Sequence, residues 1–285
     1  MQRKRRIWLA KIGLIDRDQV RLFAVHEEFP KAIVAALNPD RRQTYYGRIW
    51  RPSQPVVDES SNLLFCKLGW AKPAQAEEVD YIESEHDWVT LHAPAKTGNY
   101  SHFVVNLTSQ LVAYEERGDI SRQAFLNALS LFVTDMGYEV EPVSDTAEFE
   151  AWLDDMDQVT RFYVTLKRPN PSYGKRARET REIAGQINAE RLSVEAVSKD
   201  NVNVRDTFLE GAAETAALGN GQYKATGIKA GAKRFFDSAK RFLGRDIDVA
   251  SEDSSRVILD KMADAMANME PDPVGQEVAD ERGGR

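Results

Sequence analysis

Asp145-Thr-Ala-Glu-Phe-Glu-Ala-Trp-Leu-Asp-Asp-Met156, followed closely by Phe162-Tyr-Val-Thr-Leu-Lys167, sets two periodicities side by side. In the first stretch Phe149, Trp152, Leu153 and Met156 recur at helical spacing. Asp145 stands at the N-cap, with Glu148 three residues on, as in a capping box. In the second, Phe162, Val164 and Leu166 alternate with Tyr163, Thr165 and Lys167, the period of a half-buried strand. Arg168-Pro-Asn-Pro171 ends that strand, because proline cannot continue a ladder. Helix and strand so close together point to an α+β fold.

The reading extends in both directions. Upstream, Ser121 caps a helix whose apolar face is Phe125, Leu126, Leu129, Phe132, Val133 and Met136, stopped at Gly137. The first 115 residues read mainly as strands: Ile7 to Ile15 and Val20 to Val25 as a hairpin, then Leu63 to Trp70, Trp88 to Ala93, Tyr100 to Leu107 and Leu111 to Glu115. Glu28 to Leu37 is a helix candidate. Short connections make the sheet antiparallel. Downstream, a polar helix from about Lys175 to Glu190 leads to a strand at Leu192 to Val197. A helix from Val204 to Leu218 then ends at Gly219-Asn-Gly221. Tyr223 to Ile228 reads as a strand. Arg234 to Ser238 reads either as its hairpin partner or as part of one helix from Ala232 to Leu243. Phe242 to Val249 is a further strand candidate, and Ile258, Met262, Ala265, Met266 and Met269 mark a last helix. The expected organisation is a β-rich unit with a covering helix over 1–142, a mixed α+β unit over 143–269, and a disordered acidic tail over 270–285.

The 285 residues carry 38 Lys+Arg against 45 Asp+Glu, a net charge of −7. That excludes a uniformly basic nucleic-acid-coating protein. No apolar run reaches the roughly 18 residues of a membrane span. The basic start Met1-Gln-Arg-Lys-Arg-Arg6 looks like a signal n-region, but Lys11, Asp16 and Arg17 interrupt what should be its apolar core, which argues against secretion. The single cysteine, Cys66, excludes an internal disulfide and a Cys-rich zinc site, and suits a reducing cytoplasm.

The charge is segregated. Residues 134–158 hold nine acidic residues and no basic one, whereas 161–185 hold seven basic and two acidic. Residues 221–245 set Lys224, Lys229, Lys233, Arg234, Lys240, Arg241 and Arg245 against Asp237 alone. Interleaved with Tyr223, Phe235, Phe236 and Phe242, those cations have the composition of a phosphate-facing surface, and the rings could stack on unpaired bases. The bland alternative has the aromatics in the core and the acidic segments neutralising the basic ones within the fold.

Catalytic signatures are sparse. Of the four histidines, His26, His86, His92 and His102, the last two are equidistant from Thr97, so a hairpin there would pair them. Two imidazoles could begin a metal site, but no third ligand is specified. Gly219-Asn-Gly221 lacks the Gly-Lys-Ser/Thr ending of a phosphate-binding loop, and reads as a helix stop. Cys66 sits within an apolar strand, as a core residue would. No catalytic residue, metal or cofactor is expected.

One family-level resemblance covers about 160 residues of the central and C-terminal chain. Asn201-Val-Asn203 before a helix, Gly219-Asn-Gly221, the strand Tyr223-Lys-Ala-Thr-Gly-Ile228, the turn at Gly231 and the helix Val257 to Met269 resemble the C-terminal half of the lambdoid phage exclusion protein Rex A and its bacterial relatives. His102-Phe-Val-Val-Asn-Leu-Thr-Ser-Gln-Leu-Val-Ala-Tyr114 resembles the centre of the same group. The resemblance implies a DNA-binding, non-enzymatic protein acting with a partner in abortive phage defence. It transfers no binding residue. The expected function is therefore nucleic-acid binding, with the seven cations of 221–245 as phosphate contacts. Two alternatives stay open: a protein-interaction subunit of a defence complex whose acidic patches, with Trp152 as anchor, dock a basic partner or a second copy of the chain, and a metal-dependent enzyme using His92 and His102.

Overall fold

The computed structural model describes residues 2–15, 25–71, 81–82, 84, 86–88, 98–167 and 191–269. The chain divides into two units, one of Met1–Glu141 with Gly244–Met269 and one built on Pro142–Leu243. Each belongs to the α+β class expected.

The first unit opens with β1 (Gln2–Leu14) and α1 (Val25–Ala36). Short strands β2 (Gln43–Tyr45), β3 (Arg48–Pro52) and β4 (Val56–Asp58) precede the long β5 (Leu63–Ala71). A two-strand ribbon, β6 (Tyr81–Ile82) and β7 (Asp87–Trp88), comes before β8 (Gly98–Asn106), β9 (Leu111–Glu115), α2 (Arg122–Thr134) and β10 (Tyr138–Pro142). One sheet runs in the order β10-β1-β9-β8-β5-β3-β2, with β4 on β5. Every residue of β9, and all of β5 after Leu63, is buried. Such uninterrupted burial requires cover on both faces. On one face Phe125 of α2 stacks on Tyr114 at 4.5 Å and meets Phe103 edge-on at 5.5 Å. Ser121 caps α2 by accepting from the Ala124 N–H, as its sequence position predicts.

Two expectations for this unit need correcting, and a third lies largely outside the described residues. Val20 to Val25 was to be the second strand of a hairpin, but Val25 instead opens α1; residues 16–24 lie outside the described residues. Trp88 closes β7, and the remainder of the expected strand to Ala93 is likewise outside them. The second unit was to continue to residue 269. Instead β15 (Gly244–Ala250) pairs antiparallel with β1 from Gln2↔Ala250 to Trp8↔Gly244. A helix, Ser255–Ala267, then buries Ile258, Leu259, Met262, Ala265 and Met266 and contacts β1, β8, β9 and β15. Pairing across more than 230 residues of sequence leaves no local trace, so composition alone assigned this segment to the wrong unit.

The second unit begins with α3 (Thr146–Asp155), capped by Asp145, which accepts from the Ala147 N–H. Glu148 instead pairs with Arg241 at 2.9 Å. Then come β11 (Gln158–Lys167), β12 (Arg191–Val197), α4 (Phe208–Thr215) with a closing π-turn at Ala216–Asn220, β13 (Gly221–Lys229) and β14 (Ala232–Asp237). The helix expected over 175–190 lies outside the described residues. All neighbours in the sheet β12-β11-β13-β14 are antiparallel. The β13–β14 turn, with Ala230 and Gly231 both at positive φ, decides 232–243 in favour of the hairpin over the single helix. Gly221 ends the π-turn where a Cβ would lie 2.0 Å from the Thr165 carbonyl oxygen, so only glycine fits that approach. It turns the chain, as read, and cradles no phosphate motif.

Helices α3 and α4 cover one face of this sheet. Phe149, Phe162, Val164, Leu166, Ala212, Ala216, Tyr223, Ala225 and Phe236 form its core. Phe149 lies 4.8 Å from Tyr223 and 4.9 Å from Phe236, ring centre to ring centre.

Candidate nucleic-acid interface

Strand alternation assigns every side chain of β11–β14 to one of two faces. Phe162, Val164, Tyr223, Ala225 and Phe236 point to the helices. Arg161, Tyr163, Thr165 and Lys167 of β11 therefore point the other way, as do Arg191, Ser193, Glu195 and Val197 of β12. Across the remaining two strands the same face continues through Gln222, Lys224, Thr226, Lys233, Phe235 and Asp237. Two register rows define it: Glu195–Tyr163–Lys224–Asp237, and Val197–Arg161–Thr226–Phe235.

This face is open. Phe235 is 72% exposed and Val197 70%. Five cations stand on it, Arg161, Lys167, Arg191, Lys224 and Lys233, against the carboxylates Glu195 and Asp237. Arg161 Nε lies 2.6 Å from Glu195 Oε1, and Lys224 Nζ 3.6 Å from Asp237 Oδ2. The first pair is exposed, where an ion pair adds little and yields readily to another anion. In the second, Lys224 is exposed but Asp237 is half-buried and also accepts from the Ala239 N–H at 3.2 Å. The Tyr163 phenol accepts from Thr165 Oγ1 at 2.9 Å and donates to Ser193 Oγ at 3.4 Å. Hydrogen bonding with Ser193 and Thr165 lowers its pKa from the ordinary tyrosine value. These bonds fix the ring's position within the sheet surface.

The seven cations expected to form the site are not brought together. Lys224 and Lys233 lie on the open face. Lys229 pairs with Asp155 of α3 and Arg241 with Glu148 of α3, so both serve the helix-covered side. Arg234 shares the strand parity of Phe236, and Lys240 lies in the turn beyond β14; both are exposed. Arg245 belongs to the other unit, on β15 opposite Ile7. The interleaved aromatics divide the same way. Tyr223 and Phe236 are core, Phe242 is half-buried, and Phe235 faces solvent. Composition missed Arg161, Tyr163 and Arg191. The signal for Arg161 and Tyr163 was available in the alternation of 161–167, which sets them on the face opposite Phe162 and Val164; Arg191 joins them only through the β11–β12 register.

The alternatives change too. Trp152 packs on Phe149 at 6.1 Å and Phe236 at 5.8 Å, so its ring extends the core and is a poor docking anchor. Within the acidic block, Glu148, Asp154 and Asp155 pair with Arg241, Arg205 and Lys229. His92 lies outside the described residues. His102 sits opposite Lys67 on β5, and its Nδ1 is 2.5 Å from Glu115 Oε1. Glu115 also accepts from Arg5 Nη1 at 2.6 Å and from the His102 N–H at 3.1 Å. Burial pushes the Glu115 carboxyl up, but these partners outweigh it and hold it well below the usual range. Burial lowers the His102 pKa, so the ring is neutral and donates Nδ1–H to the carboxylate. No group of three or more His, Cys, Asp or Glu side chains gathers as a metal site among the described residues. Cys66 is buried, as expected of a core thiol, and burial pushes its pKa up to about 12.

A protein-family model described as a domain of unknown function, DUF4747, matches residues 65–264. The chain belongs to the DUF4747 family. The DUF4747 match runs from within β5 to within the last helix, so it takes in the whole four-stranded sheet together with β15. No curated protein matches the chain. Among the described residues, no helix is long and apolar enough to cross a membrane.

Proposed function

We propose that the chain binds nucleic acid without catalysing a reaction on it, through the open face of β12-β11-β13-β14. One observation carries the reading: a sheet face left uncovered by the described residues sets five cations around two aromatic rings, against two carboxylates of which one is in an exposed, easily exchanged pair. Cations at this density neutralise phosphates and release their counterions, which makes binding depend on salt. The part in phage exclusion rests on the Rex A resemblance, and would appear as a fall in phage plaque counts on cells expressing the chain.

Fluorescence anisotropy of a labelled oligonucleotide, titrated with the protein at several salt concentrations, tests the binding. Affinity should fall steadily as salt rises from about 50 to 200 mM. A variant carrying Arg161→Glu, Lys224→Glu and Lys233→Glu should lose at least roughly ten-fold at constant salt while keeping its circular dichroism spectrum. Absence of binding near 50 mM salt, or an affinity indifferent to salt, contradicts the phosphate mechanism.

A further inference from the structure

We infer that the bound form is an unpaired strand, whose bases stack on Phe235 and Tyr163 while its phosphates lie along Arg161 and Lys224. The inference rests on the nucleic-acid reading and specifies what the face selects. Phe235 is the clearest sign. Its neighbour Phe236 is buried in the aromatic core, yet Phe235 is 72% exposed. It stands among charged residues, with Lys233 two positions earlier on the same face and Asp237 two later. An isolated aromatic there adds nothing to the core.

Register places the rest. Phe235 lies opposite Thr226, which lies opposite Arg161; Tyr163 lies opposite Lys224. The two rings are thus two strands apart, roughly 10 Å in the pairing direction. Arg161 and Lys224 occupy the strands between or beside them. A single strand crossing the sheet can lay one base on each ring and its phosphates on the cations. Stacking of this kind is strong and tolerant of sequence, because every base has a π-face. A duplex cannot use the rings, since its base faces are stacked on one another and only phosphates and groove edges are presented. Val197, at the far end of the Phe235 row, adds an apolar contact suited to a further base or sugar.

The test compares one 20-nucleotide sequence as a single strand and as a duplex, in DNA and RNA forms, against the wild type, Phe235→Leu, Phe235→Trp and the triple glutamate variant. The DNA and RNA arms separate the two sources of an unpaired strand. Single strands should bind roughly ten-fold or more tighter than the duplex. Phe235→Leu, which keeps apolar bulk without a π-face, should lose roughly ten-fold on single strands and leave duplex binding and the salt slope unchanged; Phe235→Trp should restore it. Equal or tighter duplex binding overturns the inference, as does a Phe235→Leu variant with full single-strand affinity. If the triple variant still loses binding in that case, phosphate recognition survives and only base stacking falls. If the wild type binds no form, both fall together.

Discussion

Glu115 is fully buried and carries its charge because Arg5 and His102 both donate to it. Removing Glu115 leaves two buried donors of His102, its Nδ1–H and its backbone N–H, without an acceptor, and the half-buried Arg5 without its partner. Glu115→Ala should therefore destabilise the first unit by about 2–4 kcal/mol, read from denaturant midpoints. The pH dependence follows from two lowered pKa values. A neutral buried His102 stabilises the fold above the ordinary histidine value, and that contribution drains away as pH falls below about 6.5. The Glu115 contribution is present above the ordinary carboxylate value and drains away below about 4.5. Unfolding midpoints should decline in both windows on acidification. In His102→Gln the upper decline should disappear; a decline identical to wild type would remove His102 as its source. Adjacent phenylalanines give a second contrast. Phe236→Ala should cost about 3–5 kcal/mol through a cavity beside Phe149 and Tyr223, whereas Phe235→Ala should change stability by less than about 0.5 kcal/mol. Sequence made the alternation of Phe162 to Lys167 legible. It could not say which of Phe235 and Phe236 is core, because a helix and a hairpin place consecutive residues differently and both periods fit 232–243.

At the scale of elements, caps and periodic faces read correctly where signals are local. Ser121 and Asp145 cap the helices they were expected to cap, and β9 runs from Leu111 to Glu115 as its composition suggests. Short strands β2, β3, β4 and β10 escape such reading, since three to five residues are too few to establish a period. β15 illustrates the deeper limit. Its strand character was visible in Phe242 to Val249, but its partner, β1, lies at the other end of the chain. Ile247, buried opposite Arg5, is the handle for a test. Ile247→Ala empties a buried position in that pairing and should destabilise the first unit by about 2–4 kcal/mol, with hydrogen exchange quickening in β1 and in the helix Ser255–Ala267. Exchange quickening confined to β11–β14 would contradict the pairing.

Across the molecule, the net charge of −7 is a sum over faces that differ in sign. The linear count found a basic segment but could not see that strand alternation sends its cations to opposite sides, or that Asp155 and Glu148 answer Lys229 and Arg241 on the covered one. What survives is a smaller positive face drawn from four strands, with Arg161 and Arg191 contributed by segments outside the counted cluster. A site of this kind is legible only once register is known. Ultraviolet crosslinking of the full chain to a single-stranded oligonucleotide, followed by peptide mass spectrometry, tests the proposed contact directly. Crosslinks to Tyr163 and Phe235, on the peptides spanning 158–167 and 232–237, are predicted. Crosslinks confined to the helix-covered side around Arg234 and Arg241, or to the basic residues Arg3 to Arg6, would contradict the open face as the binding surface.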